Sequence, residues 1–197
     1  WMNNSFASCD KVKFDLFRRF GWIAAAGDRH LAEFCPGNWY LKDPETVKEW
    51  GFGLTSVAWR KKDLKERLQK SADYISGTKR LELNVTGEDG VKQICALLGL
   101  SDLVTNVNLP NKGQIPNLPL GAVVETNAVF TANMLTPVMA GEIPESIDPL
   151  ISRICGEQQL IVQAGIQKRL DIAFQAFLAD PLVTISLPDA KALFEEM

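Results

Sequence analysis

Apolar and polar positions follow a helical period at both ends of the chain and an alternating period between them. From Lys11 to Phe20, the residues Val12, Phe14, Leu16, Phe17 and Phe20 recur at the spacing of an amphipathic helix, with Asp10 placed to cap it and Gly21 to stop it. A second helix is expected from near Asp28, where "DRHLAEF" joins an N-cap residue type to good helix formers, and Pro36 with Gly37 ends it. Charges alternate at helical spacing from Asp63 to Tyr74, which reads as a helix with a solvated face rather than a binding patch. Val91 to Leu98 sets Val91, Ile94, Cys95 and Leu98 on one helix face, introduced by Thr86 or the Gly87 turn. Leu103 to Val107 and Ala122 to Phe130 alternate instead and are rich in β-branched residues, which predicts two strands joined by a loop dense in Asn, Pro and Gly. From Asp148 the helical period returns and predicts a long pair of helices packed over the sheet, then a turn and a last short helix capped by Asp189.

Composition narrows the class. With 197 residues, 46% hydrophobic and 23% charged, the chain has an ordinary globular balance, and disorder is not expected. The formal charge of -3, without lysine runs interleaved with aromatics, argues against nucleic acid as partner. No apolar stretch approaches the roughly 20 residues of a membrane span, and the first residues lack the order of a secretory signal, so a cytoplasmic location is expected and no membrane partner. Cys9, Cys35, Cys95 and Cys155 form no CxxC pair and read as reduced thiols rather than zinc or redox ligands. The opening "WMNNSF" has tryptophan where an initiator methionine would stand, so the chain is expected to be part of a longer polypeptide.

His30 is the only histidine. It falls in the first turn of the second helix, where the helix dipole and neighbouring Arg29 both favour a neutral imidazole. Such a ring suits a substrate contact, and equally a plain hydrogen bond to a nearby carbonyl. Trp39, Tyr40, Trp50, Phe52 and Trp59 form either a platform for a sugar ring or a satellite core, the commoner outcome. Glu88 and Asp89 stand at a helix entry, as caps or as a general base. Asn108, Asn111, Gln114 and Asn117 offer uncharged donors and acceptors to a hydroxyl-rich ligand, though turns use the same residues locally. GxGxxG, GxxxxGK[ST] and GxSxG are absent, so an enzyme built on this chain draws part of its machinery from elsewhere.

Two stretches in order, "GDRHLAEF" and "NVNLPNKGQIPNLPLGAVVETNAVF", resemble the C-terminal half of family 4 glycoside hydrolases. "LFRRFGWIAAAGDRHLAEFCPGNWY" is most similar to the family's α-galacturonidase branch, and "AFLADPLV" resembles its closing segment. The resemblance implies an α+β fold of the type seen in the C-terminal domain of lactate and malate dehydrogenases. Helices pack on a mainly antiparallel sheet, residues 1–197 form a single domain, and the N-terminal Rossmann domain is absent from this chain. It also implies a reaction in which NAD oxidises C3 of the sugar, a base removes the C2 proton while a divalent metal, usually manganese, stabilises the enediolate, and the glycosidic oxygen is eliminated. Water then adds and the ketone is reduced again.

NAD and Mn2+ are expected to bind mainly through the missing half, and the isolated chain to be inactive. Where relatives place a catalytic tyrosine, in "TGEDGV", this sequence has Gly90, so Asp89, or Glu88, is the candidate C2 base. Arg29 is the candidate partner of a uronate carboxylate, His30 a sugar or metal-water contact, and Glu33 a residue holding one of them in place. Asn111 is expected to meet ring hydroxyls from the other side. A small carbohydrate substrate and a homo-oligomer complete the expectation, with the helices from Asp148 onward available to pair with another subunit. Two other readings stay open: a non-catalytic sugar-binding or oligomerisation module, and the C-terminal domain of a hydroxy-acid dehydrogenase.

Overall fold

Helix α1, Lys11–Phe20, forms where the apolar spacing places it and stops at Gly21, whose left-handed backbone (φ 78°) lets its N–H reach the Phe17 carbonyl at 2.8 Å. Its capping differs from the sequence expectation. Asp10 is itself left-handed and makes no side-chain cap bond; Asp28 accepts instead from the N–H groups of Val12 and Lys13, at 3.2 and 3.0 Å. Helix α2, Asp28–Phe34, therefore begins with a residue whose carboxylate serves the neighbouring helix, while Gly27 stands at its own N-cap. The computed structural model describes residues 9–84 and 87–197, which fall into two compact units, Gly53–Asp89 and the remainder of the chain.

A single turn, α3 (Gly37–Tyr40), and α4 (Pro44–Trp50) follow in the larger unit. Asp43 caps α4 by accepting from the Thr46 N–H at 2.8 Å and the Thr46 hydroxyl at 2.6 Å, and these bonds hold its carboxyl below the usual range. The apolar faces close over Val12, Leu16, Ala32, Cys35 and Tyr40, with Phe20 and Trp50 packed against them. Tyr40 meets Trp50 edge-on at 4.8 Å, and Trp39 stacks on Phe20 at 6.5 Å. Tyr40, Trp50 and Phe52 are thus core, whereas Trp39 is exposed, and Trp59, which belongs to the other unit, is exposed as well. The Tyr40 hydroxyl donates to Asp15 at 2.8 Å and Arg19 donates to the same oxygen at 2.6 Å. Burial alone would raise the Asp15 pKa, but these two bonds outweigh it and hold the carboxyl below its ordinary value.

The sheet is antiparallel in the order β1–β2–β3: Leu103–Pro110, Val123–Thr131 and Met134–Pro137. β1 runs to Pro110 and pairs Asn106 with Asn127 and Asn108 with Glu125. β3, which the sequence reading did not contain, returns through a two-residue turn with Asn133 at φ 57°. Helix α6, Gly90–Leu97 (after α5, described below), lays Ala96 and Leu97 against Ala128 and Phe130, so it is this helix that covers the sheet. The long C-terminal pair was expected there. Instead, α7 (Asp148–Gln167) and α8 (Leu170–Ala179) pack on each other, and α7 meets the strands through Ile151 beside Val124.

Arg153 of α7 donates to the carbonyls of Ala179 and Asp180, at 2.7 and 3.3 Å, satisfying the end of α8. Helix α9, Leu187–Glu196, is capped by Ser186 rather than Asp189: the Ser186 oxygen accepts from the Asp189 N–H, while the Ser186 hydroxyl donates to the Asp189 carboxylate. Phe174, Phe177 and Phe194 join α8 to α9.

In the smaller unit, α5 spans Val57–Ile75, starting at a Ser56 cap seven residues before the expected Asp63. It buries no residue among those described and carries surface ion pairs such as Arg67–Asp63 at 2.9 Å. No described helix is long and apolar enough to cross a membrane, and Cys35, Cys95 and Cys155 are free thiols.

Candidate functional site

Helix α2 sorts its residues by side. Leu31 joins the core around Val12, whereas Arg29, His30 and Glu33 gather on a solvent-accessible polar face. His30 Nδ1 lies 3.2 Å from Glu33 Oε2, and Arg29 Nη2 lies 3.4 Å from His30 Nε2. A guanidinium only donates and a carboxylate accepts, so a ring that bonds to both presents Nε2 to Arg29 and an Nδ1–H to Glu33. The ring is thus oriented on one side by a carboxylate and on the other by a cation. Asp28, one residue earlier, anchors the start of the helix to α1, so the trio stands on a segment fixed at its N-terminus.

Asn111 lies elsewhere in the same unit and is 2% exposed. Its amide donates to the carbonyls of Ile115 and Leu118, both at 2.9 Å, and its side-chain oxygen accepts from the N–H groups of Gly113 and Ile115. The loop that was expected to present this side chain to a sugar is wrapped around it. Gln114 is equally buried, bonded to Lys112 N–H and the Pro110 carbonyl. Asn117 is exposed and clamps both backbone groups of Ile143 at 2.8 and 2.9 Å. Asn108 is exposed on β1.

Glu88 and Asp89 end the smaller unit, two and one residues before α6; Glu88 is exposed and Asp89 half-buried. Thr86, the other proposed cap of that helix, lies outside the described residues. The structure thus brings together Arg29, His30 and Glu33, and puts Asn111 in a separate loop of their unit. None of these four lines the large aliphatic hollow of that unit.

Sequence reasoning missed one polar surface. The register of β1 and β2 sets Asn106 opposite Asn127 and Asn108 opposite Glu125, all four exposed on one sheet face. The alternations N-x-N and E-x-N carry that signal, but only the pairing register shows that the two motifs coincide. Cys35 is no nucleophile here: burial, with Asp15 nearby, pushes its thiol up to about 11.

Residues 1–183 match the model of the family 4 glycosyl hydrolase C-terminal domain. An α-galacturonidase of Thermoanaerobacterium saccharolyticum is 61% identical over the whole chain and one of Bacillus subtilis 47% identical; the chain covers 42% and 43% of these proteins. It therefore spans less than half the length of the curated relatives it matches. Among solved structures, the lplD protein of Bacillus subtilis, described there as a glucosidase, superposes with a TM-score of 0.86 at 47% identity, covering 100% of this chain and 44% of that one. A 6-phospho-α-glucosidase from gut microorganisms, in complex with NAD and glucose-6-phosphate, gives a TM-score of 0.63 at 25% identity, over 81% of this chain and 37% of that one.

Proposed function

Since the chain belongs to the family 4 glycosyl hydrolases, as the C-terminal domain of an α-galacturonidase-like protein, we propose that it supplies the substrate side of an enzyme that cleaves α-galacturonides with NAD and a divalent metal. The observation that carries the uronide reading is the α2 trio. The Arg29 guanidinium has the planar fork that matches a carboxylate, and it sits beside a histidine whose other ring nitrogen faces Glu33. In this reading Arg29 takes the C6 carboxylate, His30 contacts a ring hydroxyl, and Glu33 is a positioning residue for His30. Asn111 acts through the loop it holds. Asp89, with Glu88 as the alternative, is proposed as the base at C2.

Cofactor and metal are assigned to the polypeptide that this chain lacks relative to its family. Among the described residues no group of three or more His, Cys, Asp or Glu is placed to hold a metal ion, and the sequence has no GxGxxG loop. The described residues thus form no such metal site of their own. Relatives crystallised with NAD and Mn2+ support the assignment to the family. The free thiols suit a reducing compartment, which supports a cytoplasmic reaction.

The test uses the complete enzyme and two nitrophenyl substrates, an α-galacturonide and the neutral α-galactoside. Arg29→Met should raise KM for the uronide at least tenfold and leave the neutral substrate within twofold. Equal effects on both substrates would remove Arg29 from the carboxylate. Activity that survives omission of both NAD and manganese would defeat the reaction class.

A further inference from the structure

Gly37 opens α3, and nothing in its own backbone asks for glycine: its φ lies outside the left-handed region. What asks for it is space. The turn after α8 runs directly over it, so that the Gly37 N–H donates to the Pro181 carbonyl at 2.9 Å. A Cβ at position 37 would stand 3.3 Å from the Leu182 Cα and 3.5 Å from the carbonyl oxygens of Leu182 and Pro181. All three atoms are backbone, and no side chain can swing aside to make room.

Both partners in this contact are held. On the turn side, Arg153 of α7 donates to the carbonyls of Ala179 and Asp180, and the Asp180 carboxylate accepts from the Leu182 N–H at 2.7 Å. Pro181 is buried, with its φ fixed by the ring. On the other side, Cys35 and Pro36 join Gly37 to the end of α2, and Cys35 is 3% exposed in the core around Val12. Asp28 ties the opposite end of α2 to α1. A helix of seven residues, about 10 Å long, is therefore held at both ends, and a push at one end tilts it as a body.

We propose that Gly37 is a positioning residue for the polar trio: its bare backbone contact with Pro181 and Leu182 sets where α2 ends, and so how Arg29, His30 and Glu33 face the substrate. Glu33, the member nearest Gly37, moves most when that contact is forced apart, and the 3.2 Å approach of its carboxylate to His30 changes with it. The proposal rests on the substrate role proposed for the trio, whereas the contact that places α2 stands without it.

The test uses the complete enzyme with Gly37→Ala and Gly37→Val, and takes Asn38→Ala, at an exposed neighbouring position, as reference. An alanine methyl needs a few tenths of an ångström from the facing backbone, and valine needs more. Since a misplacement of about 1 Å costs on the order of 100-fold, KM for the nitrophenyl α-galacturonide should rise about threefold in Gly37→Ala and about tenfold or more in Gly37→Val, with kcat within about twofold. Lost stability alone would reduce the active fraction, and hence kcat, at constant KM. A second readout needs no substrate. With ring-labelled histidine, the nuclear magnetic resonance signal of His30, identified by its disappearance in His30→Gln, should shift in Gly37→Ala, shift further in Gly37→Val and stay in place in Asn38→Ala. An unchanged KM in both Gly37 variants overturns the proposal even where Arg29→Met separates the two substrates, and so does an unmoved His30 signal. Should Arg29→Met affect both substrates alike, the uronide reading falls, while a shifted His30 signal with KM raised for both substrates still supports the placement by Gly37.

Discussion

Replacing Asp28 by alanine tests whether α1 and α2 are joined by a cap donated across sequence. The substitution removes the acceptor of two N–H groups at the start of α1, those of Val12 and Lys13, and leaves them without that partner. Loss of an N-cap acceptor costs about 1 kcal/mol, with a range of roughly 0.5–2. Loss of the negative charge at the same helix end, and at the first turn of α2, adds about 0.3–1 kcal/mol for each helix. The expected total is about 2 kcal/mol, roughly a 30-fold shift in the folding constant. Asp28→Asn keeps an oxygen acceptor and loses only the charge, so it should cost about half as much. Urea unfolding followed by the fluorescence of Trp39 and Trp50, which pack in this unit, reads the difference directly. A loss below about 0.3 kcal/mol for alanine, on the scale of an ordinary surface substitution, would refute the cross-cap, and so would an asparagine variant as damaged as the alanine one.

Asn111→Ala strips partners from two N–H groups and at least two carbonyls inside the loop, and at about 1 kcal/mol or more for each buried group left unpaired the loss should reach ~3–4 kcal/mol in urea unfolding; a loss under about 1 kcal/mol would show that the loop does not depend on it. Asn111→Asp should be no better, since a carboxylate would then face the same carbonyls. The Cys35 thiol is raised from 9.0 to about 11, so its contribution to stability is whole below pH 9 and is lost as pH rises through 11; Cys35→Ala should flatten that alkaline loss in a pH series of unfolding curves, and an unchanged slope would contradict the burial. Asp15 has the opposite sign: its depressed carboxyl stabilises above about pH 4 and the benefit disappears as pH falls below, so Asp15→Asn should remove part of the acid sensitivity.

The helices that the sequence revealed are those whose neighbours along the chain decide them. α1 and the strands of the hairpin follow from spacing alone, because a period of 3.6 or 2 is a local property. The errors lie where a distant partner decides. Asp28 was recognised as a capping residue type, yet the helix it caps is the preceding one, a choice set by packing and not by position in sequence. β3 has four residues, too few for alternation to register, and is defined by pairing with β2. Asn111 has the chemistry of both a ligand contact and a turn, and only its burial separates them. α5 begins at Val57, ahead of the charge alternation that marks it in sequence, because the Ser56 hydroxyl accepts from the Trp59 N–H and caps it there.

The polar trio was legible for the opposite reason: Arg29, His30 and Glu33 are close in sequence on one helix, so no tertiary knowledge is needed to bring them together. The apolar pattern carried more than the fold of this chain uses. Phe34, Val162 and Ile166 keep the helical spacing of core residues and are nonetheless exposed, so the pattern was written for a larger core than these residues close. A surplus of this kind differs from scattered surface leucines because its members converge on one concavity. The periodicity that locates helices therefore also marks this concavity, once the residues it expects to be buried are compared with those that are.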